Sequence, residues 1–302
     1  MARRRTAHAE RRSAAAGAVR LTKPVDVPDV QPLTRITPFK NGANAMISTK
    51  RTAGIDGDKD MPTNRQAATS VGVCFILATV TAILGGLFYQ PMLTGPDYLS
   101  NGARHTNQVV LGALMELVLV CTAIGTAIGL FPVLRPYGER IALGHLCFRF
   151  LEAVVITIGI VAVLSLLTVS QDFVAAAAPD ASAFLVAGTL LRAVKDWTFM
   201  LGPNLMLGVN TAMYSYLLYQ SRLVPRLIAG LGLTGAALVL SAALLQLLGV
   251  LPLGSVGVVL LAMPVAAYEM ILAVWLIVKG FNPAAIASAP ARPGRNELLS
   301  LA

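Results

Sequence analysis

Six long apolar runs, joined by short polar connections, fill the chain from residue 67 to residue 278, at 67–89, 109–131, 141–169, 197–221, 227–250 and 255–278. Each is close to the ~20 residues that cross about 30 Å of hydrocarbon as an α-helix. Lipid offers the peptide group no hydrogen-bond partner, so such a segment must bond its N–H and C=O groups within its own helix. Charged residues make up 13% of the chain, against about 25% in a soluble domain, and they crowd before residue 66. The expected fold is therefore all-α. It is a polytopic membrane protein, a bundle of about six transmembrane helices over 67–281, with disordered tails at 1–66 and 282–302.

The net charge of +9 sits mainly in the first tail. Residues 1–66 hold 13 Lys+Arg and 6 Asp+Glu, a balance of +7, and the rest of the chain holds 11 and 9, a balance of +2. Pro, Gly, Ala, Asp and Arg are scattered there without periodicity, which reads as a solvated arm. Arg3, Arg4, Arg5, Arg11 and Arg12 suit contact with anionic headgroups, but no aromatic residues interleave with them to read nucleic acid. No apolar stretch follows the arginines closely enough for a secretion signal, and Met61 is an alternative start. The short connections set an orientation. Lys50, Arg51, Lys59 and Arg65, then Arg135 and Arg140, then Arg222 and Arg226, then Lys279, Arg292 and Arg295 fall on alternate connections. The positive-inside tendency puts these, and both termini, in the cytoplasm of a bacterial plasma membrane. Arg192 and Lys195 conflict with that pattern. They lead to an interfacial helix over Phe184–Val194, or else to a fourth span that starts near Phe184 and breaks at Gly202-Pro203.

Familiar catalytic signatures are missing. Gly230 to Gly235 fits G-x-G-x-x-G but lies inside an apolar run with no acidic residue about twenty positions on, so helix packing explains it better than a dinucleotide. Gly125 and Gly129 likewise mark close helix approach. The histidines, His8, His105 and His145, are too dispersed for a metal site, and no cofactor is expected. Cys74, Cys121 and Cys147 read as small core residues rather than a disulfide framework.

Ionisable groups within the apolar runs carry the candidate site, because charge inside a bilayer is expensive and usually functional. Glu116 lies in the second run and Glu269 in the sixth. His145, Arg149 and Glu152 share one helix face in the third run, spaced i, i+4 and i+7. Asp196 stands at the start of the fourth run and Asn210 further along it. Three carboxylates against the one cation Arg149 leave a balance of −2, which demands a proton, a charged His145 or a bound cation. Arg149 and Glu152 form the natural ion pair. Pro203 and Pro264 precede Asn210 and Glu269, as broken helices often precede transporter sites.

Several segments resemble bacterial multi-pass membrane proteins of domain-of-unknown-function family 4386. They include Pro96-Asp97-Tyr98, Asn107-Gln108-Val109, Phe148-Arg149 with Glu152, and Ser170-Gln171. The most specific are Asp196-Trp197-Thr198-Phe199 with Gly202-Pro203, Ser221-Arg222-Leu223-Val224-Pro225-Arg226, and Trp275 to Phe281 preceded by Glu269. The resemblance runs from about Thr69 to Phe281 and implies membrane location and an all-helical fold, with no activity attached. Three functions remain open: a small-solute or proton-coupled carrier or accessory subunit, a lipid-modifying enzyme near Asp196-Trp197, and a structural or regulatory protein whose polar groups only tie helices. Convergence of Glu116, Arg149, Glu152 and Glu269 on one cavity separates the first reading from the last.

Overall fold

The computed structural model describes residues 57–176 and 182–289. Most of both expected tails and the link 177–181 lie outside the described residues. Among the described residues every regular element is helical. The elements are α1 (Gly57–Leu93), α2 (Tyr98–Arg104), α3 (Thr106–Leu134), α4 (Glu139–Ala176), α5 (Ser182–Phe199), a π-helical segment (Met200–Met206), α6 (Leu207–Ser221), α7 (Arg226–Leu247), α8 (Val256–Val278) and α9 (Pro283–Ala287). A single 3₁₀ turn, Arg135–Tyr137, links α3 to α4. Two helices occupy ground expected as tail. α1 begins at Gly57, ahead of residue 67, and α9 follows residue 282, where the Asn282 side chain caps it by accepting from the Ala284 N–H at 3.1 Å.

Five helical stretches are long and apolar enough to cross a membrane: Asn64–Leu93, Thr106–Tyr137, Glu139–Ala176, Arg226–Leu247 and Val256–Val278. The chain is an integral membrane protein with an all-α polytopic fold. The fourth expected run behaves differently. α5, the π segment and α6 form one uninterrupted helical path from Ser182 to Ser221, so no separate interfacial helix exists at Phe184–Val194. The span that starts near Phe184 and deforms at Gly202-Pro203 is the arrangement found. Pro203 has no N–H to donate, and its ring crowds the carbonyl four residues back; widening that turn to π geometry relieves the clash. Arg192, Lys195 and Asp196 in α5 lower its apolar character, which keeps this path apart from the other five.

Contacts between connections show which ends lie together. The Arg65 guanidinium donates to the carbonyls of Ile277 and Val278 at 2.8 and 3.1 Å, joining the start of α1 to the end of α8. Tyr137 donates to the Ala285 carbonyl at 2.8 Å, joining the α3–α4 turn to α9. The Asn282 N–H donates to Leu223 at 2.9 Å and its side chain to Arg222 at 3.2 Å, joining the α6–α7 turn to the same place. The connections that carry Arg65, Arg135, Arg222 and Lys279 thus meet at one end, while Arg104 and Arg192 lie toward the other. α4 leaves that end and α6 returns to it, so the path from Ser182 to Ser221 traverses the bundle.

Two apolar cores lie along this axis. Phe75, Leu130, Leu134, Tyr214, Tyr268 and Leu272 pack near the basic end. Tyr89, Met92, Val109, Ile156, Ile160 and Leu166 pack toward the other. Glycines set the helix spacing. A Cβ on Gly129 would strike Val71, and one on Gly125 would sit 3.1 Å from the Cys74 sulfur, so this pair seats α1 on α3. A Cβ on Gly235 would lie 2.9 Å from the Val265 backbone, so part of the G-x-G-x-x-G match serves α7–α8 packing. The cysteines are not core residues as expected: Cys121 and Cys147 are exposed and Cys74 is half-buried. In a membrane helix the outer face meets lipid, and a small apolar thiol suits it as well as the interior does.

Candidate functional site

The charged side chains lie between the two cores. α4 carries the first pair. Arg149 Nη1 donates to Glu152 Oε2 at 3.1 Å and Oε1 at 3.3 Å, one helical turn away. Arg149 Nε donates to the Ala123 carbonyl of α3 at 3.3 Å. Asn210 of α6 donates to Glu152 Oε2 at 2.6 Å and to the Met206 carbonyl at 3.0 Å. Arg149, Glu152 and Asn210 are all buried.

A second pair was not foreseen. Lys195 Nζ of α5 donates to Glu116 Oε1 at 2.7 Å and Oε2 at 2.9 Å, and Tyr89 of α1 donates to Glu116 Oε2 at 3.1 Å. The ammonium also stands 5.0 Å from the Tyr89 ring centroid. Glycines make the approach feasible. A Cβ on Gly159 would sit 2.7 Å from Thr198 Oγ1 and 3.5 Å from Lys195 Nζ, and one on Gly85 would sit 3.0 Å from Glu116 Cγ. Lys195 is therefore a bundle cation and not a loop charge, which removes half of the orientation conflict. Arg192 stacks 4.6 Å from the Tyr98 ring. With Lys195 counted, three carboxylates face two cations and the balance is −1 instead of −2.

The formal surplus of one carboxyl falls to Glu269 of α8. Its Oε1 lies 3.8 Å from Arg149 Nη2, beyond hydrogen-bond length, and has no hydrogen-bond partner. Glu116 and Glu152 each take close donors from two side chains, so Glu269 is the least compensated of the three.

Glu116, Arg149, Glu152, Lys195 and Glu269 line one cavity of about 520 Å³. Its remaining walls are mainly apolar, from α1, α3, α4, α8 and the π segment. Asn204 of the π segment also lines it, only 3% exposed, with its side-chain NH₂ unpartnered. Ile83 and Leu87 of α1 and Met263 of α8 line it while being 59%, 56% and 58% exposed. The cavity lining thus reaches the outer surface of the bundle along α1 and α8, and at the exposed Phe199 of α5. An aromatic layer packs toward the basic end. Tyr214 stacks on Tyr268 at 6.0 Å, His145 packs edge-on to Tyr214 at 5.1 Å, and Phe75 lies 6.0 Å from the same ring. Ser215 donates to the Tyr268 hydroxyl at 2.8 Å within that layer.

Of the residues singled out by sequence, Glu116, Arg149, Glu152 and Glu269 share the cavity and Asn210 supports it through Glu152. His145 is buried on the same face of α4 but belongs to the aromatic layer, where its ring lies against the Asn210 backbone. Asp196 and Trp197 are exposed on the outer face of α5, away from the cluster. Tyr89 and Asn204 carry no signal in the sequence, and Lys195 stands out there only as a charge that conflicts with the orientation pattern. The deficit of positive charge was the signal for Lys195, and its nearness to Arg192 made it read as the charged end of an interfacial helix. No group of three or more His, Cys, Asp or Glu residues suited to a metal ion occurs among the described residues.

Fold and site together define a class: polytopic helical membrane proteins with an ionisable cluster in a cavity at mid-bundle. The chain matches the family model described as Domain of unknown function (DUF4386) over residues 70–280, and it belongs to that family. No curated protein and no solved structure matches it.

Proposed function

We propose that this protein is a proton-coupled carrier for a small solute in a bacterial plasma membrane, with both termini cytoplasmic. The observation that carries the reading is the convergence of five ionisable side chains from α3, α4, α5 and α8 on one cavity, with Glu269 the least compensated of the three carboxyls. Polar groups that only tie helices together close on one another. Here an open volume and an under-compensated carboxylate remain, the requirements for a group that alternately holds a proton and a guest. The exposed edge of the lining and the aromatic layer fit a molecule accessible on one side and packed on the other. The orientation rests on the gathering of Arg65, Arg135, Arg222 and Lys279 at one end.

The test is proton flux in proteoliposomes under an imposed pH gradient. Wild type is expected to pass protons in a Glu269-dependent manner, with Glu269→Gln losing at least about tenfold of the rate, since the amide cannot exchange a proton. Equal flux in both, at equal reconstituted amounts, would sink the proposal.

A further inference from the structure

We infer that the cavity takes an amphipathic amine bearing a hydroxyl or carbonyl oxygen close to its nitrogen, admitted sideways from the lipid between α1 and α8. This names the guest of the carrier proposed above and rests on that reading. Three independent features specify it. Charge sets the sign of the head group. Three carboxylates against two cations leave −1, and a monocation beside Glu269 brings the buried cluster to neutrality, whereas an anion would deepen the imbalance. Asn204 supplies the second. Its side-chain NH₂ is buried, lines the cavity and has no partner, so it asks for an acceptor oxygen on the guest. Lys195 and Arg149 are each bonded to a carboxylate, whereas the Asn204 amide is the neutral buried donor in the cavity that has no acceptor.

The mouth supplies the third. Ile83, Leu87 and Met263 are apolar and more than half exposed where the bundle meets hydrocarbon. A guest with an alkyl chain lays that chain along them and leaves its head inside, whereas a fully hydrated ion would have to cross lipid to arrive. Gly86 lies in the same mouth, and a Cβ there would meet nothing within 4 Å. A large side chain at Gly86 therefore plugs the opening without disturbing the helices around it.

The experiment uses the full chain in lipid nanodiscs, with calorimetric titration of 2-(decylamino)ethanol, decylamine, ethanolamine and decyl sulfate. Saturable binding of 2-(decylamino)ethanol is expected, weakened about tenfold or more, at least ~1.4 kcal/mol, by Glu269→Gln and by Gly86→Phe. Decylamine should bind more weakly than the amino alcohol in wild type and equally in Asn204→Leu. Ethanolamine should bind poorly for want of a chain, and decyl sulfate should not compete. Gly86→Phe leaves every charge in place, so loss of binding there with a monodisperse, folded protein isolates the mouth. Decyl sulfate competing as well as the amine, or full binding in both Glu269→Gln and Gly86→Phe, would overturn the inference. Absence of amine binding alongside Glu269-dependent proton flux would remove this guest and leave the carrier; binding without flux would do the reverse.

Discussion

Arg149 is the residue on which the buried electrostatics turn. It holds Glu152 within hydrogen-bond distance, stands nearest Glu269, and anchors to the α3 backbone. Removing one partner of a buried pair leaves an uncompensated charge, at a cost of about 3–5 kcal/mol. Arg149→Gln is therefore expected to lower the folded fraction in a denaturing-detergent titration, while Glu269→Gln leaves it near wild type. Lys195 and Glu116 invite a double-mutant cycle. Lys195→Met alone should destabilise by a similar amount, and adding Glu116→Leu should recover much of it, because a buried pair replaced by apolar groups is often neutral. Measured additivity of the two changes would show that they do not interact. The carboxylates and Arg149 were legible in the sequence because each is a charge within an apolar run. Lys195 was not, since its partner lies 79 positions away and Arg192 and Asp196 beside it give the look of a helix end at the interface.

The helices divide into those the sequence pattern defines and one that it obscures. Five carry long, nearly uncharged stretches and were legible as spans, with only their ends displaced. The path from Ser182 to Ser221 mixes three charges with a proline, and its crossing follows only from where its two ends are held. Asn204 lies in the widened turn beside Pro203 and lines the cavity, and no periodicity in the sequence reports such a widening. Glycine positions give the element-scale prediction. Gly235→Leu should abolish folded yield, because the obstacle is the Val265 backbone and cannot rotate away. Gly86→Leu should leave yield unchanged, since open space receives the new side chain. Size-exclusion profiles of the two variants in the same detergent settle the contrast.

At the scale of the whole molecule, the charged layer lies between two apolar cores and the basic connections gather at one end. Single cysteines introduced at Ser221 and Thr94, in a background lacking Cys74, Cys121 and Cys147, should label from opposite sides with a membrane-impermeant maleimide in intact cells. Thr94→Cys is expected to react from outside and Ser221→Cys only after permeabilisation; the reverse pattern would invert the proposed topology. The sideways mouth has a further consequence for equilibrium measurements. A guest whose chain still lies in hydrocarbon when its head is bound is in equilibrium with the bilayer as its reservoir. Each added methylene enriches that reservoir by about 0.8 kcal/mol, or about fourfold, before any contact with the protein is made. Affinity expressed per free aqueous concentration should then climb steadily with chain length, affinity per total added guest should fall as lipid is added, and affinity expressed as mole fraction in the membrane should stay nearly flat.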